Sequence, residues 1–146
     1  MINVSTITAA IVDRLANHPA LSDVRDVVRG EYLNTDDGNT PWIGVYRSEV
    51  LHQPRTLGGS SDSWRAIVSV DLAIQVSNPK NGEATEDDLE DLVQRSLNVL
   101  MEDKTFGNTV AMLTEVHVKY DYQQNASETL DFQMATVSLT MEVRTG

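Results

Sequence analysis

Six acidic side chains between residues 83 and 91 form the densest set of groups in this sequence that could do chemistry. They are Glu83, Glu86, Asp87, Asp88, Glu90 and Asp91. Carboxylate oxygens are the ligands that calcium prefers, so the stretch is one candidate cation site. It lacks the spacing of an EF-hand loop, with its central glycine and terminal glutamate. We favour the alternative that these acids begin a solvated helix, whose dipole stabilises negative charge in its first turns.

Other chemistry-bearing residues are scattered. His18, His52 and His117 form no HExxH or HxH pattern, and the chain has no cysteine. Gly58 and Gly59 are not followed by the lysine of a phosphate-binding loop, and no serine lies in a GxSxG motif. We therefore expect no catalytic residue, no metal site and no cofactor, and we expect that the protein is not an enzyme.

Charge narrows the choice of partners. The chain has 146 residues, 22 of them acidic and 11 basic, and a formal net charge of -11. This charge argues against unaided binding to nucleic acid or to an anionic membrane, because both need a basic surface. No apolar run approaches the roughly 20 residues that span a bilayer, and the N-terminal stretch does not resemble a signal peptide. We expect one domain that stays in the cytoplasm or in an assembly built there.

A polar segment between two predicted strands is the best candidate for a protein interface. It forms the tip of a projecting hairpin arm around residues 47–65, with two adjacent glycines and three serines near its centre. Its candidate interface residues are Arg47, Glu49, His52, Arg55, Leu57 and Trp64. Arginine and tryptophan are common interface anchors, and both charge signs occur here, which suits head-to-tail contacts in a ring. The alternatives are an ordinary flexible tip and, for Trp64, a place in the core.

The first half of the chain predicts a helix followed by three strands. Ser5 is a candidate N-cap for a helix that ends before Pro19. A β-branched run within residues 24–33 and a second run from Trp42 to about Leu51 predict strands. From Trp64 to Val76 the even-numbered residues are all apolar, which predicts a long strand with that side towards the core.

The second half predicts a helix and a hairpin. Residues 85–103 carry one apolar stripe, with Thr85 as the expected N-cap. Residues 112–122 and 130–143 read as two strands. The last strand is apolar on its even side early and on its odd side late, so we expect a bulge near Met134–Thr136, or a second partner for its first half.

Together these elements predict an α+β fold in the order α-β-β-β-α-β-β. Turns join consecutive strands, so we expect a mostly antiparallel sheet with two helices packed on one face.

This layout resembles the tail terminator (tail completion) proteins of tailed bacteriophages. The segments that carry the resemblance are NHPAL, WIGVYRSE, LAIQVSNPKNGEATEDDLEDLVQRSLNVLMED and LTMEVRT. The likeness extends over nearly the whole chain and rests on length and element order. Head–tail connectors and other neck or head-completion proteins have a similar layout and stay open as alternatives, as does a small cation-binding or enzymatic domain.

The resemblance implies a structural role in virion assembly. The chain would form a homohexameric ring at the head-proximal end of the tail tube, stop tube polymerisation and offer a docking surface to the head–tail connector. It would have no catalytic residues. The arm around Arg47–Trp64 would contact neighbouring subunits and the tube protein. The acidic start of the second helix would line the lumen, where it would repel phosphates and let DNA pass without specific binding.

Overall fold

The computed structural model describes residues 3–33, 39–54, 64–79, 82–102, 112–127 and 130–145. Its elements are helix α1 (Val4–Asn17), a 3-10 turn (Pro19–Leu21), strands β1 (Asp26–Arg29), β2 (Trp42–Pro54) and β3 (Trp64–Asn78), helix α2 (Gly82–Met101), and strands β4 (Met112–Ser127) and β5 (Leu130–Thr145). The predicted α+β class and element order are confirmed. No helix in the described part of the chain is long and apolar enough to cross a membrane.

The five strands form one sheet in the order β1-β2-β3-β5-β4. The consecutive pairs β2–β3 and β4–β5 are antiparallel, as predicted, and the non-consecutive pair β3–β5 is antiparallel as well. The expectation that β1 would also pair antiparallel is wrong, because Asp26–Arg29 runs parallel to residues 42–45 of β2. Parallel pairing needs a connection that returns the chain to the starting end of the sheet, and residues 30–41 are long enough to do so.

Both helices pack on the same face of the sheet. Helix α1 lies against β1 and β2, helix α2 lies against β3 and β5, and the two helices touch each other. The predicted core side of β3 is confirmed from Ala66 to Val76, where the even-numbered residues are at most 2% exposed. These side chains join Ile7, Ile11 and the apolar stripe of α2 in one hydrophobic cluster. Burial of this apolar area is the main force that holds the helices on the sheet.

Strand β5 accommodates the change of its apolar side from even to odd residues without the predicted bulge. Its register with β3 runs unbroken from Thr145 to Asp131, so the expected irregularity near Met134–Thr136 is wrong. The odd side, from Ala135 to Val143, faces the helices and is buried. Phe132, on the opposite face, is only 6% exposed, so the first half of the strand does bury both sides. The register shifts lie in β4 instead, between Leu113 and Glu115 and between Gln123 and Ser127.

Both helices begin earlier than predicted. Helix α1 is capped by Asn3, whose side-chain oxygen accepts a hydrogen bond from the Ser5 backbone N–H at 3.0 Å. Helix α2 begins at Gly82, so Thr85 lies inside it and is fully buried. The predicted caps at Ser5 and Thr85 are therefore wrong, since each of these residues is already helical.

A short segment after β1 lies over the face of the sheet that carries no helix, here called the open face. Gly30 has a φ of 86°, a left-handed conformation that glycine adopts without steric cost, and its N–H donates to the Val45 carbonyl at 2.6 Å. The Glu31 carbonyl then packs directly on Gly44, beside the buried ring of Trp42. This contact leaves no room for a Cβ at residue 44.

Candidate functional site

Three predicted interface residues lie on β2, in a stretch whose outer edge is open. Strand β1 ends at Arg29, opposite Val45, so no described strand pairs with the outer edge of β2 beyond that point. Arg47 and Glu49 are exposed and flank a register shift against β3, while His52 is half-buried. An unpaired strand edge offers backbone donors and acceptors to another chain.

The other parts of the predicted arm are described less completely. Arg55 and Leu57 lie outside the described residues, and of Trp64 the structure describes only the backbone. That backbone pairs with both Pro54 and Thr145. The first residue of β3 therefore already lies between two neighbouring strands of the sheet, and this end of β3 is not one half of a separate hairpin. Whether residues 55–63 project from the sheet stays a prediction.

A cleft of about 520 Å³ opens where β1 ends and β2 continues. We call it the arginine cleft. Arg29 and Arg47 lie on the same face of neighbouring strands, because Arg29 is opposite Val45 and Arg47 follows two residues later. Both point to the side that carries α1, whose first turns form the opposite wall. The lining residues are Ser5, Thr8, Arg29, Gly30, Tyr32, Val45, Tyr46 and Arg47.

The arginine cleft contains two arginines that have no counterion among the described residues. Among the described residues, Arg14, Arg65 and Arg95 each form an ion pair with a carboxylate of this chain, whereas Arg29 and Arg47 form none. The described residues Arg25 and Lys119 also form no ion pair, but neither lines this cleft, where two unmatched guanidinium groups lie together. A guanidinium has five donors in a planar fork that matches a carboxylate, so the cleft is chemically suited to bind acidic groups.

Two tyrosines form the aromatic rim of the arginine cleft. Tyr32 is 65% exposed, and its ring meets that of Tyr46 edge to face at a centroid distance of 5.9 Å. Burial raises the pKa of the Tyr46 hydroxyl above its ordinary value of 10.0, and the negative charges of Asp71 and Asp121 add to the effect. Tyr46 is therefore a neutral hydrogen-bonding group at neutral pH.

The six predicted lumen acids all lie on α2 and are all exposed, but they do not act as one cluster. Asp88 accepts a hydrogen bond of 2.6 Å from the Asn78 amide, and Asp91 accepts one of 2.9 Å from Arg95. Glu83, Glu86, Asp87 and Glu90 form no ion pair with any described residue. A helix turns 100° per residue, so these acids spread over the whole solvent side of α2.

Glu86 differs from the other acids because it faces β4. It lines a second cleft, of about 270 Å³, together with Leu89, Tyr120, Asp121 and Gln133. We call this the acidic cleft. Tyr120 is 55% exposed on its wall. Strand β4 forms the edge of the sheet opposite to β1 and β2, and no described strand pairs with its outer side. The acidic and arginine clefts therefore lie at opposite edges of one sheet.

An ion-pair network holds the 3-10 turn region against α2. Arg95 donates to Asp23 at 2.7 and 3.0 Å, to Asp91 at 2.9 Å, and to the Ala20 carbonyl at 2.9 Å. The hydrogen bond from Arg95 lowers the pKa of Asp23 below its ordinary value of 3.8, and the same bond raises the pKa of Arg95. These contacts engage Asp91 in a structural role.

The histidines lie on separate elements. His18 follows α1, where its Nδ1 accepts a hydrogen bond from the Ala20 N–H and its Nε2 meets Glu102 at 2.9 Å, so it caps the 3-10 turn. His52 is on β2 and His117 is on β4. Across the described ranges, no three His, Asp or Glu side chains lie close enough together to hold a metal ion.

Sequence reasoning missed Arg29, Tyr32 and Tyr46 as site residues. Their signal depends on the parallel pairing of β1 with β2, which places Arg29 beside residues that are distant in sequence. In the sequence, Arg29 is one of several scattered basic residues. Compared with protein-family models and with curated proteins, the chain matches none of either.

Proposed function

We propose that this chain is a structural tail terminator protein of a tailed bacteriophage. It forms a hexameric ring at the head-proximal end of the tail tube, stops tube polymerisation, and offers a docking surface to the head–tail connector. The observation that carries the proposal is the element order α-β-β-β-α-β-β in a chain of 146 residues, since the resemblance to this family rests on that layout.

The open edges of the sheet support assembly into a ring. Within the described residues, neither β4 nor the part of β2 beyond Val45 has a partner strand on its outer side. Unpaired edges are templates for pairing with another chain. The two edges differ in sequence, so contacts between them are heterologous, and heterologous contacts close into rings when the rotation between subunits allows it.

The side chains of three of the six predicted lumen acids form no ion pair or hydrogen bond with another described residue, and their charge supports the passage of DNA. Glu83, Asp87 and Glu90 are exposed on the solvent side of α2 and have no described counterion. Repeated around a ring, these carboxylates repel phosphate groups, so that DNA slides through the lumen without sticking. The tube protein is the expected partner of the segment around Arg47–Trp64.

The first experiment measures assembly. We expect the purified chain, alone or after addition of the tail tube protein of the same phage, to reach six times its mass of 16.2 kDa in multi-angle light scattering. Negative-stain electron microscopy should show rings, and immunogold labelling of virions should mark the head-proximal end of the tail. A chain that stays monomeric both alone and with the tube protein rejects the proposal.

The second experiment removes the gene. A terminator stops tube growth, so phage made without this chain should contain overlong tails. Tails of normal length beside heads that fail to join them would contradict the proposal and assign the chain to the head side of the neck. Supplying the wild-type chain from a plasmid is the control, and it should restore normal tails.

A further inference from the structure

Each edge of the sheet has a cleft with a charged lining, and the two linings have opposite sign. The arginine cleft opens at the β1–β2 edge with Arg29 and Arg47 exposed, and the acidic cleft opens at the β4 edge with Glu86 and Asp121. We propose that the arginine cleft of one subunit docks on the acidic cleft of a second copy of this chain. This inference rests on the proposed ring and names the surfaces that join its subunits.

The unmatched charges of the two clefts indicate that a second copy of this chain occupies each of them. Arg29 and Arg47 have no carboxylate partner among the described residues, although acids outnumber bases two to one in this chain. Glu86 likewise has no described cation partner. Both sets of unmatched charge are satisfied at once when the edges of two copies meet.

The dimensions of the two clefts suit side chains rather than single ions. The arginine cleft, at about 520 Å³, lies in the range of pockets that bind organic groups. The acidic cleft, at about 270 Å³, has Tyr120 exposed on its wall. A guanidinium that enters it pairs with Glu86 and stacks on the tyrosine ring, which adds a cation–π contact.

The placement of the clefts also determines the symmetry of the contact. A two-fold dimer through either cleft would bring arginine against arginine or acid against acid, which is repulsive. Docking of one cleft on the other leaves a free cleft at each end of a pair, so further copies add in the same way. Such head-to-tail addition produces a ring if it closes and a filament if it does not.

This assignment separates Glu86 from the other acids of α2. Glu86 faces the acidic cleft, whereas Glu83, Asp87 and Glu90 line neither cleft and remain on the solvent side of the helix. In the ring, Glu86 lies between subunits, and the other three are the candidates for the lumen. The acidic start of α2 then serves two purposes through different residues.

The test exchanges charge across the contact. Arg47→Glu reverses the arginine cleft, and Glu86→Arg reverses the acidic cleft; both residues are exposed, so the folded circular-dichroism spectrum should be unchanged. Each variant alone should assemble at least about tenfold more weakly than the wild type in light scattering, because like charges then meet at every contact. An equimolar mixture should restore assembly, since each reversed cleft fits the other.

Glu115→Arg is the matched control. It makes the same charge change on exposed β4 surface, but Glu115 lies six residues from Asp121, about 20 Å along an extended strand, and outside the acidic cleft. It should assemble like the wild type. Rings formed by Arg47→Glu alone, or a mixture that fails to restore assembly, would overturn this inference and leave the terminator proposal standing. A wild-type chain that never assembles, even on tubes, would reject both.

Discussion

Replacement of Gly44 by alanine should destabilise the fold by driving the segment after β1 off the open face. The added Cβ would meet the Glu31 backbone carbonyl and the ring of Trp42 at distances that real Cβ atoms do not adopt. Neither group can yield easily. The carbonyl belongs to a chain held by the hydrogen bond from Gly30 to Val45, and the Trp42 side chain is 98% buried, since its exposed fraction is 2%.

The expected cost follows from these contacts. Overpacking by one methyl group costs about 1–3 kcal/mol, and a backbone collision places this site at the upper end, about 3 kcal/mol. Removal of a strand glycine returns about 0.5–1 kcal/mol through lower entropy of the unfolded chain. The net loss is about 2 kcal/mol, which for a chain of this size lowers Tm by about 4–8 °C.

Urea unfolding followed by circular dichroism measures this loss. Gly30→Ala is the matched control: its added Cβ meets nothing within 4 Å, so only the left-handed φ of 86° is penalised, by about 1 kcal/mol. Gly44→Ala should therefore unfold at lower urea than Gly30→Ala. If Gly44→Ala were as stable as the wild type, Glu31 would not lie on Gly44, and the described wall of the arginine cleft at Tyr32 would be wrong.

Three further predictions concern the network, the core and the tyrosine rim. Because Arg95 lowers the pKa of Asp23, the ion pair stabilises the fold above pH 4 and loses its contribution as pH falls below 4. Both groups are partly exposed, so Asp23→Asn should lower the free energy of unfolding by under about 1 kcal/mol at pH 7, and by less at pH 3, as measured by thermal unfolding. An equal loss at both pH values would contradict the ion pair. Leu100→Ala, at a fully buried position of α2, should cost about 2–5 kcal/mol in urea unfolding, and a loss below 1 kcal/mol would contradict its place in the core. Burial and two nearby carboxylates raise the pKa of Tyr46, so Asp71→Asn should lower that pKa in an ultraviolet titration; an unchanged pKa would exclude Asp71 as a contributor.

The order of elements and the core faces could be predicted from sequence because both are local properties. Alternating apolar residues from Ala66 to Val76 indicate which side of β3 is buried, since successive side chains of a strand point to opposite faces. The apolar stripe of α2 likewise indicates its packed side. Helix caps were less predictable, because Asn3 and Ser5 are both good capping residues and the choice depends on where Val4 is buried.

The candidate site could be predicted only in part. Sequence composition and position indicated Arg47 as an interface residue and placed the acids at the start of α2. The sequence could not predict that Arg29 lies near Arg47, because their proximity depends on parallel pairing between strands that are separated by residues 30–41. Nor could it distinguish Glu86 from Asp87, since the two are adjacent in sequence and differ only in which of them faces β4.

The sequence by itself determined the fold class, the buried face of each long element and the excess of negative charge, because these follow from residue types and their spacing along the chain. The tertiary structure decided which charges remain unmatched and at which edges of the sheet they gather. The physical reason is that a side chain's counterion and neighbours are determined by strand order and register, and these are settled by contacts between residues far apart in sequence.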